Sequence, residues 1–138
     1  MNLKLPKTIT ETQAGLISKE FSAQDLTRGY LDRINKQGKQ LNAFITVTQD
    51  YALKQAGLVD KIIADLGKAA ISKYPLLGVT LSLKDLYLTK GIRTTAASKV
   101  LDNYVPQYSS TAVTRLEKSG CILVGKNNCD AWAHGASG

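Results

Sequence analysis

The stretch "GVTLSLKDLYLTKGIRTTAASK", Gly78 to Lys99, decides how this chain is read. Alternation from Val79 puts Val79, Leu81 and Leu83 on one face of a strand over 79–83 and Thr80, Ser82 and Lys84 on the other. A lysine that closes an apolar β-run is either solvated or in use. Downstream comes a long turn-rich connection, then a helix from about Ser110 to Ser119, with Gly120 as its left-handed terminator and the apolar run "CILV" after it. The pattern predicts a β-loop-α-β unit. Strands joined this way run parallel with a right-handed crossover, so their carboxyl ends meet at one edge of the sheet. Lys84 and Lys126 then share that edge, outside which open α/β sheets bind their ligands.

Upstream the periodicity is helical. Thr8 with Glu11 forms a capping box for a short helix to Ser18, carrying Ile9, Leu16 and Ile17. Ser22 with Asp25 opens a second helix on which Ala23, Leu26, Tyr30 and Ile34 share a face, and Gly38 in "KQGKQ" is the expected stop. "LNAFITVT" reads as a short strand. Thr48 caps a third helix with Ala52, Ala56, Val59 and Ile63 on one face, and Gly67 ends it. The fold class expected is α/β, a helical layer packed on a mixed β-sheet. Its apolar strands 79–83 and 121–124 are expected to present unpaired edges.

Composition narrows the function classes. The chain has 138 residues, 43% hydrophobic and 21% charged, which suits one packed domain. No apolar run is long enough to cross a bilayer, and "MNLKLPKTIT" lacks the apolar block of a secretory signal, so a cytoplasmic location is expected. Cys121 and Cys129 make neither a CxxC pair nor a disulfide framework; reduced thiols are expected, and no metal. A net charge of +7 raises the question of nucleic acid. The one local excess, Lys73, Lys84, Lys90, Arg93 and Lys99 against Asp85, has no interleaved aromatic residues for base stacking, and reads as a mildly basic surface.

Three motifs imitate chemistry. "GCILVGKN", Gly120 to Asn127, matches the start of a phosphate-binding loop, but Asn127 replaces the magnesium-binding hydroxyl and the intervening residues are themselves the expected strand. Lys126 therefore reads as a strand-end lysine. Asp130, His134 and Ser137 are the residue types of a hydrolytic triad, and Cys129 with His134 imitates a thiol–imidazole pair. Asp130 and His134, four apart, would be neighbours on one helical turn, which favours a structural histidine. Ser82, Ser98, Ser109, Ser110 and Ser119 lie in no G-x-S-x-G elbow, so no nucleophile is visible.

At "PLLGVTLSLKDLYLTKGIRTTAASKVLDNYVP" the sequence resembles the amidase signature family, and within it the branch serving tRNA-dependent amidotransferases. "EFSAQDLTRGYLDRI", "AFITVTQDYALKQA" and "STAVTRLEKSGCILVGKNNCDAWAHGASG" extend the resemblance over nearly the whole chain, with a departure at "NNCDAWAHGAS", where relatives commonly carry a methionine and an acidic residue.

The resemblance implies a role for Lys84 as the catalytic lysine of a Ser-cisSer-Lys triad, accepting a proton from the cis serine, which activates the nucleophilic serine for attack on an amide. It implies equally that both serines lie downstream of Gly138, so that residues 1–138 are the N-terminal portion of a single amidase domain, its mixed β-sheet incomplete in this chain, truncated before its serine- and glycine-rich signature and inactive alone. The whole protein would hydrolyse glutamine and pass ammonia to B and C partner subunits, which bind charged tRNA and use ATP and magnesium, while the amidase itself needs no cofactor. The alternatives are a stand-alone amidase acting on small carboxylic amides, or a non-enzymatic basic interaction module. A lysine with an ordinary pKa near 10.4 works as a base at neutral pH only where burial or neighbouring donors hold it neutral. Asp85 is expected to turn to the opposite face from Lys84 and to cap the following turn.

Overall fold

A computed structural model of the protein describes residues 5–135. Helices α1 (Ile9–Ser18) and α2 (Ala23–Leu41) both open on complete capping boxes, Thr8 with Glu11 and Ser22 with Asp25. In each, the hydroxyl accepts the third backbone N–H of the helix and the carboxylate reaches back to the cap, which places the helix starts where the sequence predicts them. The end of α2 differs from expectation. The helix runs through Gly38 to Leu41, and Asn42 takes the left-handed position at φ 49°, its N–H donating to the Gly38 carbonyl. A glycine inside a helix costs only about 1 kcal/mol, and asparagine supplies the left-handed cap that glycine usually provides.

Strand β1 (Phe44–Val47) follows, then α3 (Gln49–Leu66), ended at Gly67. Thr48 stands at the cap position of α3, but its hydroxyl makes no cap bond and donates instead to the Leu123 carbonyl at 2.7 Å. A one-turn helix, α4 (Ala69–Lys73), was not expected; five residues are too few for a period of 3.6 to show. Strand β2 (Thr80–Lys84), helix α5 (Thr111–Lys118) and strand β3 (Ile122–Asn127) complete the β-loop-α-β unit. Ser110 caps α5, and Gly120, at φ 89°, makes the left-handed exit into β3.

Among the described residues the strands form one mixed sheet in the order β1-β3-β2, with β3 antiparallel to β1 and parallel to β2. This corrects the expectation that both apolar strands expose an edge. β3 is central and paired on both sides; β2 and β1 carry the open edges. Burying β3 on both faces explains its run of apolar residues. Ile122 and Val124 join a core with Leu26, Ala52, Ala56, Val59 and Leu77, and Leu123 joins Leu83, Ile92 and Val113 in another. Where pairing to β1 ends, Leu123 N–H donates to Gln55 Oε1 at 2.8 Å, so the backbone stays satisfied.

Candidate active site

Lys84 is the last residue of β2, lies opposite Asn127 of β3, and is exposed. Its backbone is held on the carboxyl side by three bonds: Tyr87 N–H to the Lys84 carbonyl (3.1 Å), Asp85 N–H to the Asn127 carbonyl (3.0 Å) and Ala96 N–H to the Asp85 carbonyl (2.8 Å). Among the described residues its ammonium has no hydrogen-bond or ion-pair partner.

Asp85 turns to the opposite face, as strand alternation requires, and is fully buried. It does not cap the adjoining turn. Its Oδ2 accepts from Thr95 N–H at 2.9 Å and Thr95 Oγ1 at 2.6 Å, ten residues on. Its Oδ1 has no partner of hydrogen-bond geometry but lies 3.2 Å from Lys126 Nζ.

Lys126 corrects the expectation of a simple strand-end lysine. Its side chain is fully buried, and its ammonium also donates to the Tyr87 carbonyl at 3.0 Å and to Thr94 Oγ1 at 2.7 Å. Burial pulls the lysine below its ordinary pKa, opposed by the adjacent Asp85 carboxylate. The register explains the placement. Pairing steps from Leu81–Leu123 to Ser82–Gly125, so β3 carries one extra residue against β2. A one-residue slip exchanges the faces. Lys126, which plain alternation groups with Ile122 and Val124, is thereby delivered to the side of Leu83 and Asp85. The signal available in the sequence was Gly125, a glycine inside an apolar strand and the residue at the register step.

The connection 85–110 is tied down elsewhere as well. Arg93 pairs with Asp102 and donates to Thr46 Oγ1 of β1 at 3.3 Å. Ala96 and Ala97 sit at φ 50° and 52°, and Trp132 N–H donates to the Ala96 carbonyl at 2.9 Å. Trp132 and Ala133 are themselves at φ 58° and 60° in a three-residue 3₁₀ turn, so Asp130 and His134 do not share an α-helical turn. His134 is exposed rather than packed, and Ser137 of the imitation triad lies outside the described residues. Cys121 and Cys129 are free thiols. The phosphate-loop imitation is strand β3 itself, as expected. Among the described residues no cluster of three His, Cys, Asp or Glu side chains could hold a metal, and no helix is long and apolar enough to cross a membrane.

The arrangement thus offers a primary amine, unpaired among the described residues, at the carboxyl edge of a sheet and on a backbone fixed beside a buried ion pair. That amine can accept or donate a proton for a group placed over the edge. The chain is 45% identical over 94% of its length to the A subunit of a glutamyl-tRNA(Gln) amidotransferase from Desulfatibacillum aliphaticivorans, and 48% identical over 94% to that from Geobacter sp. (strain M21). It spans about a quarter of the length of these curated relatives, 26% of each. Among solved structures, the peptide amidase of Stenotrophomonas maltophilia superposes with a TM-score of 0.83 at 30% identity, covering 93% of this chain and 26% of that one. Residues 25–138 match the model of the Amidase family, and the chain belongs to that family.

Proposed function

We propose that residues 1–138 are the N-terminal portion of a single amidase domain whose whole form hydrolyses glutamine as the amidase component of a tRNA-dependent amidotransferase. The observation that carries this reading is Lys84, a lysine unpaired among the described residues at the sheet's carboxyl edge, within a segment 45–48% identical to proteins named for that activity. In the mechanism the resemblance implies, Lys84 Nζ takes the proton of a cis serine. That serine takes the proton of the nucleophilic serine as its oxygen attacks the amide carbon; the relay then runs back and delivers one proton to the departing nitrogen, so that ammonia leaves, the acyl group stays as an ester on the nucleophilic serine, and water hydrolyses that ester. Both serines belong to the sequence beyond Gly138. Lys84 is exposed here, so the covering that would hold its amine neutral also comes from that portion.

Ammonia released at the site would pass to B and C subunits, which hold charged tRNA and use ATP with magnesium to convert Glu-tRNA(Gln) or Asp-tRNA(Asn). A cytoplasmic site of action accords with that role. The test is Lys84→Ala and Lys84→Arg in the family-length protein carrying this segment. Both should abolish glutamine hydrolysis at unchanged stability, because arginine stays protonated and cannot serve as a base. Turnover like that of the wild type in Lys84→Arg overturns the role. Amidation of tRNA only in the assembled complex supports the amidotransferase reading. The likeness to a peptide amidase supports the second reading, in which the lone amidase hydrolyses simple amides and forms no stable complex.

A further inference from the structure

Lys126 and Asp85 are the least explained feature of the structure: two charges with no solvent exposure, 3.2 Å apart. As a source of stability such a pair is weak, because the desolvation of both ions rivals their attraction, and apolar residues of similar volume generally hold a fold as well. What apolar residues do not provide is direction. The Lys126 ammonium donates to two acceptors, Tyr87 O and Thr94 Oγ1, one on each arm of the loop, and its charge faces Asp85 Oδ1 at 3.2 Å. Asp85 Oδ2 then holds both the backbone and the hydroxyl of Thr95. The network joins β3, the residue after Lys84, the outgoing arm of the loop at Tyr87 and its returning arm at Thr94–Thr95. On the exit from β2, its anchor points Asp85 and Tyr87 lie within three residues of Lys84.

We propose that Lys126 and Asp85 are positioning residues for Lys84, a buried clamp that fixes the carboxyl end of β2 and so aims the Lys84 amine over the sheet edge. The inference rests on the amidase reading of Lys84. A base or acid displaced by about 1 Å loses about 100-fold in rate, so the clamp acts on turnover rather than on substrate affinity.

The experiment is steady-state glutamine hydrolysis by the family-length enzyme, with thermal midpoints recorded for every variant. Lys126→Met should lower kcat by about 100-fold with KM changed by less than about 3-fold. Thr95→Val, which keeps the side-chain volume and the backbone bond but removes the hydroxyl donor, should lower kcat by about 10-fold and tests the clamp even if Lys126→Met fails to fold. In the double variant Asp85→Asn/Lys126→Met, with no charge left buried and unpaired, the thermal midpoint should return toward wild type while kcat stays low. Recovery of kcat together with stability would reduce the pair to a structural role and overturn the proposal. So would a wild-type kcat in Thr95→Val, or a rise in KM alone. Lys84→Ala separates the two levels: if it retains activity the amidase role of Lys84 fails, whereas if it is dead and Thr95→Val is fully active only the clamp fails.

Discussion

Lys84 and Lys126, each near the carboxyl end of its strand, show how little a residue type says by itself. Lys126 is fully buried, with two hydrogen-bond acceptors and an ion-pair partner; Lys84, one strand away at the same edge, is exposed and has neither among the described residues. Strand alternation was enough to separate Lys84 from Asp85, but the partner of Asp85 depends on a bulge in a different strand. A second buried group makes a testable statement about pH. Burial, reinforced by the Glu117 carboxylate, pushes the Cys121 thiol up to about 11. A raised folded-state pKa gives stability that is fully present below the ordinary thiol value of 9.0 and lost as pH rises toward 11. Between pH 9 and 11 the protein should therefore lose on the order of 2–3 kcal/mol more than Cys121→Ala, at about 1.4 kcal/mol per pH unit. Urea unfolding of the two proteins across that range checks it, and parallel curves would contradict it.

At the level of elements, helix starts follow local chemistry and are reinforced from afar. Asp60 of α3 accepts from Ala23 N–H at 2.7 Å and Gln24 N–H at 3.2 Å, so the first turn of α2 has a carboxylate cap from the neighbouring helix besides its own capping box. Asp60→Ala should cost about 1 kcal/mol, through lost caps and lost charge at the positive end of the helix. A drop in the urea midpoint with an unchanged slope would be the signature. The strand β3 depends on Gly125 for another reason. A Cβ there would sit 2.7 Å from both Phe44 Cδ1 and the Thr46 carbonyl oxygen of β1. Gly125→Ala should destabilise by about 1–3 kcal/mol, since the clash includes backbone and cannot be relieved by a rotamer. The register that carries Lys126 should be disturbed with it, visible as exposure of the buried amine to acylation.

On the scale of the whole molecule, the sheet is buried on both faces at β3 and open at β2. Val100, Val105 and Tyr108 on the connection after β2 are exposed, Val100 by 79%. An open strand edge, together with exposed apolar side chains, favours pairing with another chain. The 138-residue chain should self-associate as its concentration rises into the micromolar range, and sedimentation velocity reads this directly. A species that stays monomeric throughout would contradict it. The same chain should hydrolyse no glutamine if the proposed reading holds, because that reading places both serines outside residues 1–138.

The sequence by itself determined the helix starts, the strand-loop-helix-strand order, the place of Lys84 at the strand end and its family resemblance. These depend on capping chemistry, on apolar period and on a contiguous motif, all of which act over a few residues. Only the tertiary structure decided that β3 is central, that α2 runs past Gly38 to Leu41, that Thr48 bonds to Leu123 rather than to its own helix, and that Lys126 meets Asp85. Apart from the end of α2, each of these is a pairing between segments far apart in the chain, and the last turns on a single inserted residue in a ladder. Residue identities fix which groups can bond, whereas sheet register fixes which of them meet.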